Sequence, residues 1–437
     1  MQREDSVLKK LKLLKPFIGE KAEKIWLFYN ASNPMDRRAW EVKIDILAAK
    51  YLQTFQEENL IEPIPAEYCK GDVYLGEVSF LNQSLYPFYL EKDFLLKHAG
   101  IFSQTGSGKS NLAMLMAMQL LKQGIPFIAF DIKRNFRELK ALRGPAKELE
   151  VFTAGREASP LRINLLRPPF GMPQKVWNKK LLDIMEDIFF FGRGCSHVLR
   201  EKFERTQDIR EALVLLKHER MKAGGRKGLW LDSGIARLDD LSTIADIINA
   251  KEGTKIEELL KKYVIIELDA LSATERAFIT EGLLCWVYHY RLNQPEREQV
   301  KQILIIEEAQ NIFRERRNKL EAFTETMFRQ SRELGIGLIY IAQNASRIPV
   351  TILQNTFTNI CFNQNHRKDI DACAWVLLLD LKEREILSRL EVGKAVMRMS
   401  GKYTKPFMLS VPKMPIVKGM IRDEELKCRF DESMPLL

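Results

Sequence analysis

The sequence predicts an α/β protein with a mostly parallel sheet, and two observations support this. From about Val73 onward, short β-rich runs alternate with long helical stretches, which is the pattern of a parallel sheet covered by helices. One apolar run is followed directly by a glycine-rich loop that ends in Lys109-Ser110, and then by an amphipathic helix. Strand, loop and helix in this order are the setting that a phosphate-binding loop requires.

The strands are predicted from apolar runs that lie between helical stretches. These runs are 98–102, 126–131, 149–154, 263–270, 302–308, 337–343 and 359–364. Between the third and the fourth, about 100 residues show mostly helical periodicity, which predicts a helical insertion at one edge of the sheet. Residues 1–70 place apolar side chains at i, i+3 and i+4, so a small helical unit is expected there. The last 40 residues suggest a hairpin followed by a tail.

The composition is that of a globular protein. With 437 residues, 46% hydrophobic and 29% charged, the chain has the length and mix of a globular protein of two or three domains. The net charge of +10 makes a polyanionic partner plausible. Because there is neither an apolar run of ~18 residues nor a cleavable leader pattern, we expect a cytoplasmic protein without a membrane anchor. Six widely spaced cysteines are expected to be reduced thiols, with no disulfide or zinc site: Cys69, Cys195, Cys285, Cys361, Cys373 and Cys428.

The glycine-rich loop predicts a nucleotide site. Gly106 and Gly108 allow the backbone to curl, so that successive N–H groups and the helix N-terminus face one anion. Lys109 would reach the β- and γ-phosphates, and the Ser110 hydroxyl would bind Mg²⁺. Ser103 stands where the usual pattern has glycine. The predicted ligands are ATP and Mg²⁺, and the binding residues are Thr105, Gly106, Ser107, Gly108, Lys109, Ser110 and Asn111.

Three predicted strands end in carboxylates, and parallel strands bring these ends to one edge of the sheet. Glu307-Glu308 is the best Walker B pair, with Glu307 as the metal ligand and Glu308 as the base that activates water. Glu267 or Asp269 is the alternative Walker B acid. Asp131 either faces the nucleotide or caps a helix.

Two further residues are candidates for catalysis. Gln343 ends the strand that follows Glu308, where its side chain could contact the γ-phosphate or the attacking water; the alternative is an ordinary edge glutamine. Arg329 and Arg332 lie three residues apart on a predicted helix that Gly335 should end. Arg332 is the preferred arginine finger for a neighbouring subunit, because a guanidinium is a rigid and permanent cation. A solvated helix face is the alternative.

Two basic segments could contact nucleic acid. One runs from Lys217 to Lys227 around a Gly-Gly break, which predicts an exposed loop, and the other contains Arg314, Arg316, Arg317 and Lys319. Each could equally be a solvated surface. Because there is no sequence-reading motif, binding of DNA would be electrostatic and not sequence-specific.

The motifs, taken in order, resemble the HerA branch of the HerA and FtsK class of ATPases. They are SQTGSGKSN, FDIKRNF, SPLRINLLRPP, IIELDALS, ILIIEEAQNIF, RQSRELGIGLIYIAQNASRIP and LEVGKAVMRMS. The resemblance implies a RecA-like P-loop NTPase core, a homo-hexameric ring with ATP sites between subunits, and DNA in the central channel. It also implies Walker B at Glu307-Glu308, a finger at Arg332, and motif positions at Asp131 and Gln343. The helical start differs from the β-barrel common in that family, and Ser103 and Glu307 replace glycine and aspartate.

The predicted organisation has four parts: an N-terminal helical unit (1–70), the first part of the ATPase core (71–155), a helical insertion (156–260), and the second part of the core with its hairpin and tail (261–437). The predicted function is a DNA translocase or helicase, with a nuclease or other effector as a possible partner. One alternative is a motor that moves DNA without unwinding it. The other is a ring scaffold that binds ATP as a switch and recruits an effector.

Overall fold

The computed structural model describes residues 2–51, 61–81, 83–142, 144–315 and 322–426. The strands in these ranges are β1 (Val73–Phe80), β2 (Gln83–Leu90), β3 (Ala99–Phe102), β4 (Phe127–Asp131), β5 (Leu149–Thr153), β6 (Tyr263–Glu267), β7 (Gln302–Ile306), β8 (Ile336–Ala342), β9 (Thr358–Cys361), β10 (Lys394–Met399) and β11 (Tyr403–Ser410). The helices are α1 (Gln2–Ile18), α2 (Lys21–Ala31), α3 (Pro34–Tyr51), α4 (Lys109–Lys122), α5 (Gln174–Phe189), α6 (Arg193–Phe203), α7 (Ile209–Arg220), α8 (Gly225–Ser242), α9 (Ala245–Ile248), α10 (Ile256–Leu259), α11 (Ala273–Leu292), α12 (Phe323–Gln330), α13 (Val350–Gln354) and α14 (Arg367–Leu377).

Within the described ranges, the strands form one eleven-stranded sheet in the order β2-β1-β11-β10-β9-β3-β8-β7-β4-β6-β5. All neighbours from β9 to β5 are parallel, and β2, β1, β11 and β10 extend the sheet with antiparallel pairs. The prediction of a mostly parallel α/β sheet is therefore confirmed. The hairpin of β1 and β2 was absent from the predicted strands, because Gly76 and Pro87 interrupt its apolar alternation; Pro87 is tolerated because β2 is an edge strand.

The parallel strands β3, β8, β7, β4 and β6 all end on the same side of the sheet, which we call the carboxyl edge. The loop of residues 103–108 leaves β3 at this edge, and Gln343 leaves β8 there. Glu307 and Glu308 follow β7 directly, between the ends of β8 and β4. The order of the strands thus brings together segments that lie more than 200 residues apart.

The parallel part of the sheet is buried on both faces. Along β7, Ile303 and Ile305 belong to the core that contains α4, whereas Leu304 and Ile306 belong to the core that contains α5 and α11. Side chains alternate across a strand, so each face receives every second residue. This explains why these strands are uninterrupted apolar runs in the sequence.

The three N-terminal helices enclose a small core of their own, with Val7, Leu11, Leu14, Tyr29 and Ile44 buried. This core touches the β1–β2 hairpin through the rings of Phe17 and Phe80, whose centroids are 5.8 Å apart. In the chain, helices α5 to α10 come between β5 and β6, and these two strands are neighbours at one edge of the sheet. The boundaries of the predicted domains remain a prediction.

The predicted C-terminal hairpin is β10 and β11, but it lies inside the sheet, since β10 also pairs with β9 and β11 with β1. Among the described helices, none is both long and apolar enough to span a bilayer. Cys428 and the predicted basic residues Arg316, Arg317 and Lys319 lie outside the described residues.

Candidate active site

The glycine-rich loop joins β3 to α4 and bends where its glycines require it. Gly106 has φ 88° and Gly108 has φ 123°, conformations that side chains with a Cβ rarely adopt. A Cβ on Gly108 would also lie 3.1 Å from the ring of Phe362. The helix α4 starts immediately afterwards, at Lys109, so its first N–H groups face the loop. The backbone of the loop therefore has the turn and the helix start that the predicted anion site requires.

Lys109 lies inside this loop with only 5% of its surface exposed. Its Nζ donates to the carbonyl oxygen of Ser103 over 3.4 Å. Burial and the nearby Lys133 lower the pKa of Lys109, although Glu308 and Glu307 oppose this effect. The ammonium is thus poor in partners and close to the place where a phosphate would sit.

Ser110 and Glu307 meet at the start of α4, since the hydroxyl of Ser110 donates to Oε1 of Glu307 over 3.3 Å. The other oxygen of Glu307 accepts from the backbone N–H of Ile132 over 3.3 Å. Both predicted metal ligands are therefore together. Hydroxyl and carboxylate oxygens are ligands that Mg²⁺ accepts, and so this pair fits such an ion.

Asp131 lies next to this pair, and its carboxyl group interacts with that of Glu307. Its carboxylate accepts from the backbone N–H groups of Lys133 and Phe136, each over 2.8 Å. Burial raises the pKa of Asp131 well above its ordinary value, and the negative charge of Glu307 raises it further. These backbone contacts stabilise the turn after β4, and the interaction with Glu307 places Asp131 beside the predicted metal ligand, so both interpretations of this residue stay predictions.

Glu308 is held by three side chains. Lys133 forms an ion pair with its carboxylate, Gln310 Nε2 donates over 2.5 Å and Gln343 Nε2 over 2.6 Å. Burial raises the pKa of Glu308, but the hydrogen bonds and the charge of Lys133 outweigh burial and leave the pKa below its ordinary value. Glu308 also has φ 50°, a strained backbone for a residue other than glycine. The carboxylate is therefore ionised, and three side-chain contacts fix its position.

Gln343 connects the loop to the acidic pair. Its Oε1 accepts from the Thr105 hydroxyl over 3.4 Å, while its amide nitrogen donates to Glu308. Its backbone N–H donates to Gln310 Oε1 over 3.2 Å. The side chain thus spans from the strand β8 to both neighbouring strands' loops, which an ordinary edge glutamine would not do.

Arg332 is not brought to this site. It lies before β8, at the amino end of the strand, whereas Gln343 follows the carboxyl end. The seven residues of β8 separate the two by roughly 20 Å. The side chain of Arg332 is exposed and makes no ion pair within the part of the chain that the structure describes. Arg332 therefore cannot reach the loop of its own chain.

The alternative acids, Glu267 and Asp269, belong to a separate charge cluster. Glu267 is fully buried and forms ion pairs with Arg137 and Arg156, and Arg156 also pairs with Asp269. The strand that carries Glu267, β6, is four positions away from β3 in the sheet. Their carboxylates are already neutralised by arginines, far from the phosphate loop.

A C-terminal segment that we call the strap, residues 411–423, crosses the start of α4. The side chain of Asn111 donates to the carbonyl of Pro412 and accepts from the N–H of Met414, each over 2.8 Å. At its far end, Asp423 pairs with Arg137 and Arg156. The side chain of Asn111 thus holds the strap, and a contact of this residue with nucleotide stays a prediction.

A second C-terminal contact reaches the loop itself. The backbone N–H of Gly393 donates to the carbonyl of Ser107 over 3.0 Å, and the side chain of Gln104 donates to Asn363 over 2.6 Å. The acidic pair and Gln343 border the loop on the β8 side, and these contacts border it on the β9 and β10 side. Sequence reasoning missed them, because no motif spacing links residues 104 and 363.

Lys133 and Gln310 were also missed as site residues. Each follows a predicted acidic strand end by two residues, at 131 and at 308. The position two residues after an acidic strand end is the sequence signal that could have identified Lys133 and Gln310.

The cations of the basic segment from Lys217 to Lys227 are partly engaged in ion pairs within the chain. It is a tight connection between α7 and α8, and three of its cations are paired with acids: Lys217 with Asp239, Arg220 with Asp232, and Lys227 with Glu219. Arg226 lies over the ring of Trp230. The segment is largely exposed, as expected, but it is not a loop throughout: only residues 221–224 lie between the two helices, and the rest belong to α7 and α8.

Another basic group, which the sequence analysis missed, lies at the carboxyl edge. We call Arg347, Arg367 and Lys368 the edge cations; all three are exposed. Buried Asp369 fixes their two segments to each other by accepting from the N–H and the hydroxyl of Ser346 over 3.0 and 2.7 Å. Arg347 is four residues from Gln343 in the chain, so the edge cations lie on segments that are connected to the nucleotide site.

More than half of the chain matches the model of a known protein family. The family model described as "Helicase HerA, central domain" matches residues 73–332. A DNA double-strand break repair helicase HerA from Sulfolobus acidocaldarius is 20% identical over 364 residues, covering 77% of this chain and 68% of the relative. The protein of the same description from Sulfurisphaera tokodaii is 22% identical over 357 residues, with the same coverage.

Two solved structures share the fold. VirB4 of Thermoanaerobacter pseudethanolicus superposes with a TM-score of 0.62 at 14% identity, covering 79% of this chain and 97% of that one. The plasmid coupling protein TrwB, solved in complex with ADP and Mg²⁺, gives a TM-score of 0.61 at 13% identity, covering 84% and 96%. At these identities the likeness establishes the fold alone.

Proposed function

The chain is a P-loop ATPase that belongs to the family of the HerA helicase central domain, and we propose that it is an ATP- and Mg²⁺-dependent DNA translocase or helicase. The observation that carries the proposal is the chain of contacts from Thr105 through Gln343 to Glu308. It joins the phosphate loop, a polar sensor and an ionised base in one site. The HerA relatives, which are named as DNA repair helicases, support DNA as the substrate.

The phosphates of ATP would occupy the loop. Residues 105–110 offer N–H groups and the helix N-terminus, and Lys109 supplies a buried positive charge whose Nζ donates to the carbonyl oxygen of Ser103. Ser110 and Glu307 would hold Mg²⁺, which supplies charge neutralisation at the phosphates when it is bound. The structures of TrwB with ADP and Mg²⁺ support this assignment. Glu267 and Asp269 are poorer candidates, since arginines already occupy them.

Hydrolysis would take place beside Glu308. The oxygen of a water attacks the γ-phosphorus, the bond to the β-phosphate oxygen breaks, and the proton of the water passes to Glu308. Glu308 can accept it because hydrogen bonds keep its carboxylate ionised despite burial. Gln343 positions that carboxylate and is close enough to Thr105 to respond to a nucleotide in the loop.

The site needs a second subunit if Arg332 takes part. In one chain Arg332 lies at the opposite edge of the sheet from the loop, so it could serve only the site of a neighbour. A homo-hexameric ring with sites between subunits accommodates this arrangement, and the family resemblance supports it. A nuclease or other effector partner in DNA processing or defence is a further part of the proposal.

DNA would be contacted by the edge cations. Arg347 follows Gln343 by four residues, and Asp369 ties that segment to Arg367 and Lys368. A change at Gln343 on ATP binding or hydrolysis would thus move cations that contact phosphates. Such contacts are independent of base sequence.

The alternative is a ring scaffold that binds ATP as a switch and recruits an effector. The ion pair between Lys133 and Glu308 favours it, since this contact engages the carboxylate of the base before any nucleotide binds. The scaffold would hydrolyse ATP slowly and without regard to DNA.

The deciding experiment is ATP turnover by the full chain with and without duplex and single-stranded DNA, at low and moderate salt. We expect stimulation by DNA that is lost in Lys109→Ala and falls about 10²-fold to 10⁴-fold in Glu308→Gln. Lys122→Ala, at the exposed far end of α4, is the matched lysine control and should behave like the natural protein. Slow turnover that ignores DNA would support the scaffold instead.

A further inference from the structure

The helix α3 carries an apolar stripe that is exposed within the described part of the chain. Met35, Val42 and Ile46 are 89%, 55% and 62% exposed, and Ala39 and Ala49 are exposed as well. We call these five residues the α3 stripe. Their spacings are 4, 3, 4 and 3 residues, which is the spacing of positions a and d in a heptad repeat. Single exposed apolar residues need no explanation, but a continuous stripe does.

The stripe is distinct from the face of α3 that builds the N-terminal core. Ile44 is fully buried in that core, and Trp40 and Leu47 pack against it. On the margin of the stripe, the ring of Phe28 stacks on Trp40 with centroids 5.9 Å apart, yet Phe28 remains 57% exposed. One face of α3 is thus satisfied within the chain, and the other offers a ready helix-packing surface.

We propose that the α3 stripe pairs with the α3 stripe of a second copy, with the two helices antiparallel. In the antiparallel register that stacks Met35 on Ile46 of the second copy and Ala39 on its Val42, the four a and d positions from 35 to 46 each meet an apolar partner. Small Ala39 opposite Val42 lets the backbones approach, while Met35 adapts its shape to Ile46.

Charges that flank the stripe select this register. With 39 and 46 at positions a, residues 36 and 43 are at positions e and residues 38 and 45 at positions g. In the proposed register Arg38 lies opposite Asp45 of the second copy, and Lys43 lies opposite Asp36. Two-fold symmetry repeats both pairs, so four pairs of opposite sign form and none of like sign.

Other registers create repulsion. An in-register parallel pair places Arg38 beside Lys43 of the second copy, and an antiparallel pair shifted by one heptad places Lys43 opposite Lys43 or Arg38 opposite Arg38. Asp45 already forms an exposed ion pair with Lys10 in its own chain. Such a surface pair is weak, so it leaves the carboxylate free to accept Arg38 of the partner as well.

The symmetry of this contact gives it a specific consequence. A two-fold contact joins one copy to one other and then closes, whereas a ring requires a head-to-tail contact between different surfaces. The α3 pairing therefore doubles whatever assembly the ATPase part forms. It is independent of ATP and of the proposed motor function.

The test is the particle mass of the full chain in solution at low salt and at about 10 μM, measured by light scattering after size exclusion. We expect the Val42→Asp, Ile46→Asp double variant to have half the mass of the natural protein. Val214→Asp is the matched control, since Val214 on α7 is 64% exposed and distant from α3 in the chain; its mass should not change. Equal masses for the natural protein and the double variant would overturn the proposal.

Charge reversal tests the register without touching the apolar residues. Arg38→Asp and Asp45→Arg should each halve the mass or weaken pairing at least tenfold, and the two changes in one chain should restore pairing, because the opposite charges are then exchanged. Failure of the combined variant to recover, with far-ultraviolet circular dichroism unchanged, would refute the antiparallel register. Retained ATP turnover in every variant would show that the ATPase part is folded.

Discussion

The side-chain amide of Gln343 donates a hydrogen bond to Oε1 of Glu308 over 2.6 Å. The two residues lie 35 positions apart and follow adjacent strands, β8 and β7. Because Gln343 also accepts from Thr105, it is the side chain through which the loop and the base contact each other.

Replacing Gln343 by alanine should separate binding from turnover. The variant loses the hydrogen bond that positions Glu308, so we expect ATP turnover to fall about 10²-fold while nucleotide affinity changes by less than about threefold. Fluorescent-nucleotide titration and steady-state turnover measure the two effects. Gln330→Ala, an exposed glutamine of α12, is the control. Equal losses of affinity and turnover would show that Gln343 only supports the loop.

Replacing Lys133 by methionine should change the pH dependence of turnover. Lys133 is the cation that keeps the pKa of Glu308 low against the effect of burial. Without it, burial dominates and the pKa of Glu308 rises, so the base is protonated over a wider range of acidic pH. We expect the acidic limb of the turnover profile to move to higher pH. An unmoved limb would mean that Glu308 is not the base.

Replacing Arg332 by alanine should abolish hydrolysis and spare nucleotide binding. Removing a finger that acts between subunits costs about 10³-fold to 10⁵-fold in turnover. Mixing Arg332→Ala with Glu308→Gln should restore part of the activity, since some interfaces then combine an intact Glu308 with an intact Arg332. Arg329→Ala is the neighbouring arginine control. No recovery in the mixture would contradict a finger supplied by another subunit.

Replacing the edge cations should flatten the salt dependence of DNA binding. Each phosphate contact contributes about 0.9 to the slope of log affinity against log salt, so Arg347→Ala with Lys368→Ala should lower the slope by roughly 2. Lys227, which is already paired with Glu219, is the comparison; Lys227→Ala should change the slope little. A larger effect at Lys227 than at the edge would place DNA on the α7–α8 connection instead.

Stability should fall in mild acid because of His98. This residue is fully buried, and burial lowers its pKa to about 4, although its hydrogen bond to the carbonyl of Phe328 acts in the opposite direction. Its Nδ1 accepts from the N–H of Leu338 over 3.1 Å, so a proton on Nδ1 would break that bond. The unfolded chain takes up the proton near pH 6.5 and the folded chain only near pH 4, so acid favours unfolding in that window.

The expected loss from His98 is about 2 kcal/mol between pH 7.5 and pH 5, measured by urea unfolding at fixed protein concentration. In His98→Asn the pH dependence should shrink by that amount. Asparagine keeps an acceptor near the Nδ1 position and tolerates the φ of 64° at residue 98. Burial also lowers the pKa of His289 to about 4, so His289 accounts for the pH dependence of stability that remains in the variant. An unchanged pH dependence would exclude His98 as its source.

Much of this protein could be predicted from local sequence. The α/β class and all seven predicted strand regions follow from the apolar runs, because a strand buried on both faces is mostly apolar. The phosphate loop is equally local, since Gly106 and Gly108 are needed for its backbone and Lys109-Ser110 for its chemistry. The acidic pair at 307 and 308 was placed by its position at a strand end.

The tertiary structure decided which of these residues meet. The strand order places β8 next to β3 and β7 next to β8, so Gln343 and Glu307 join the loop, while Glu267 is carried four strands away and buried among arginines. The fold also brings Asp131 to Glu307 and the strap to the side chain of Asn111, and it puts Arg332 at the amino end of β8. Motif spacing is set by the local backbone, but these outcomes depend on contacts across hundreds of residues, and only the folded sheet determines those.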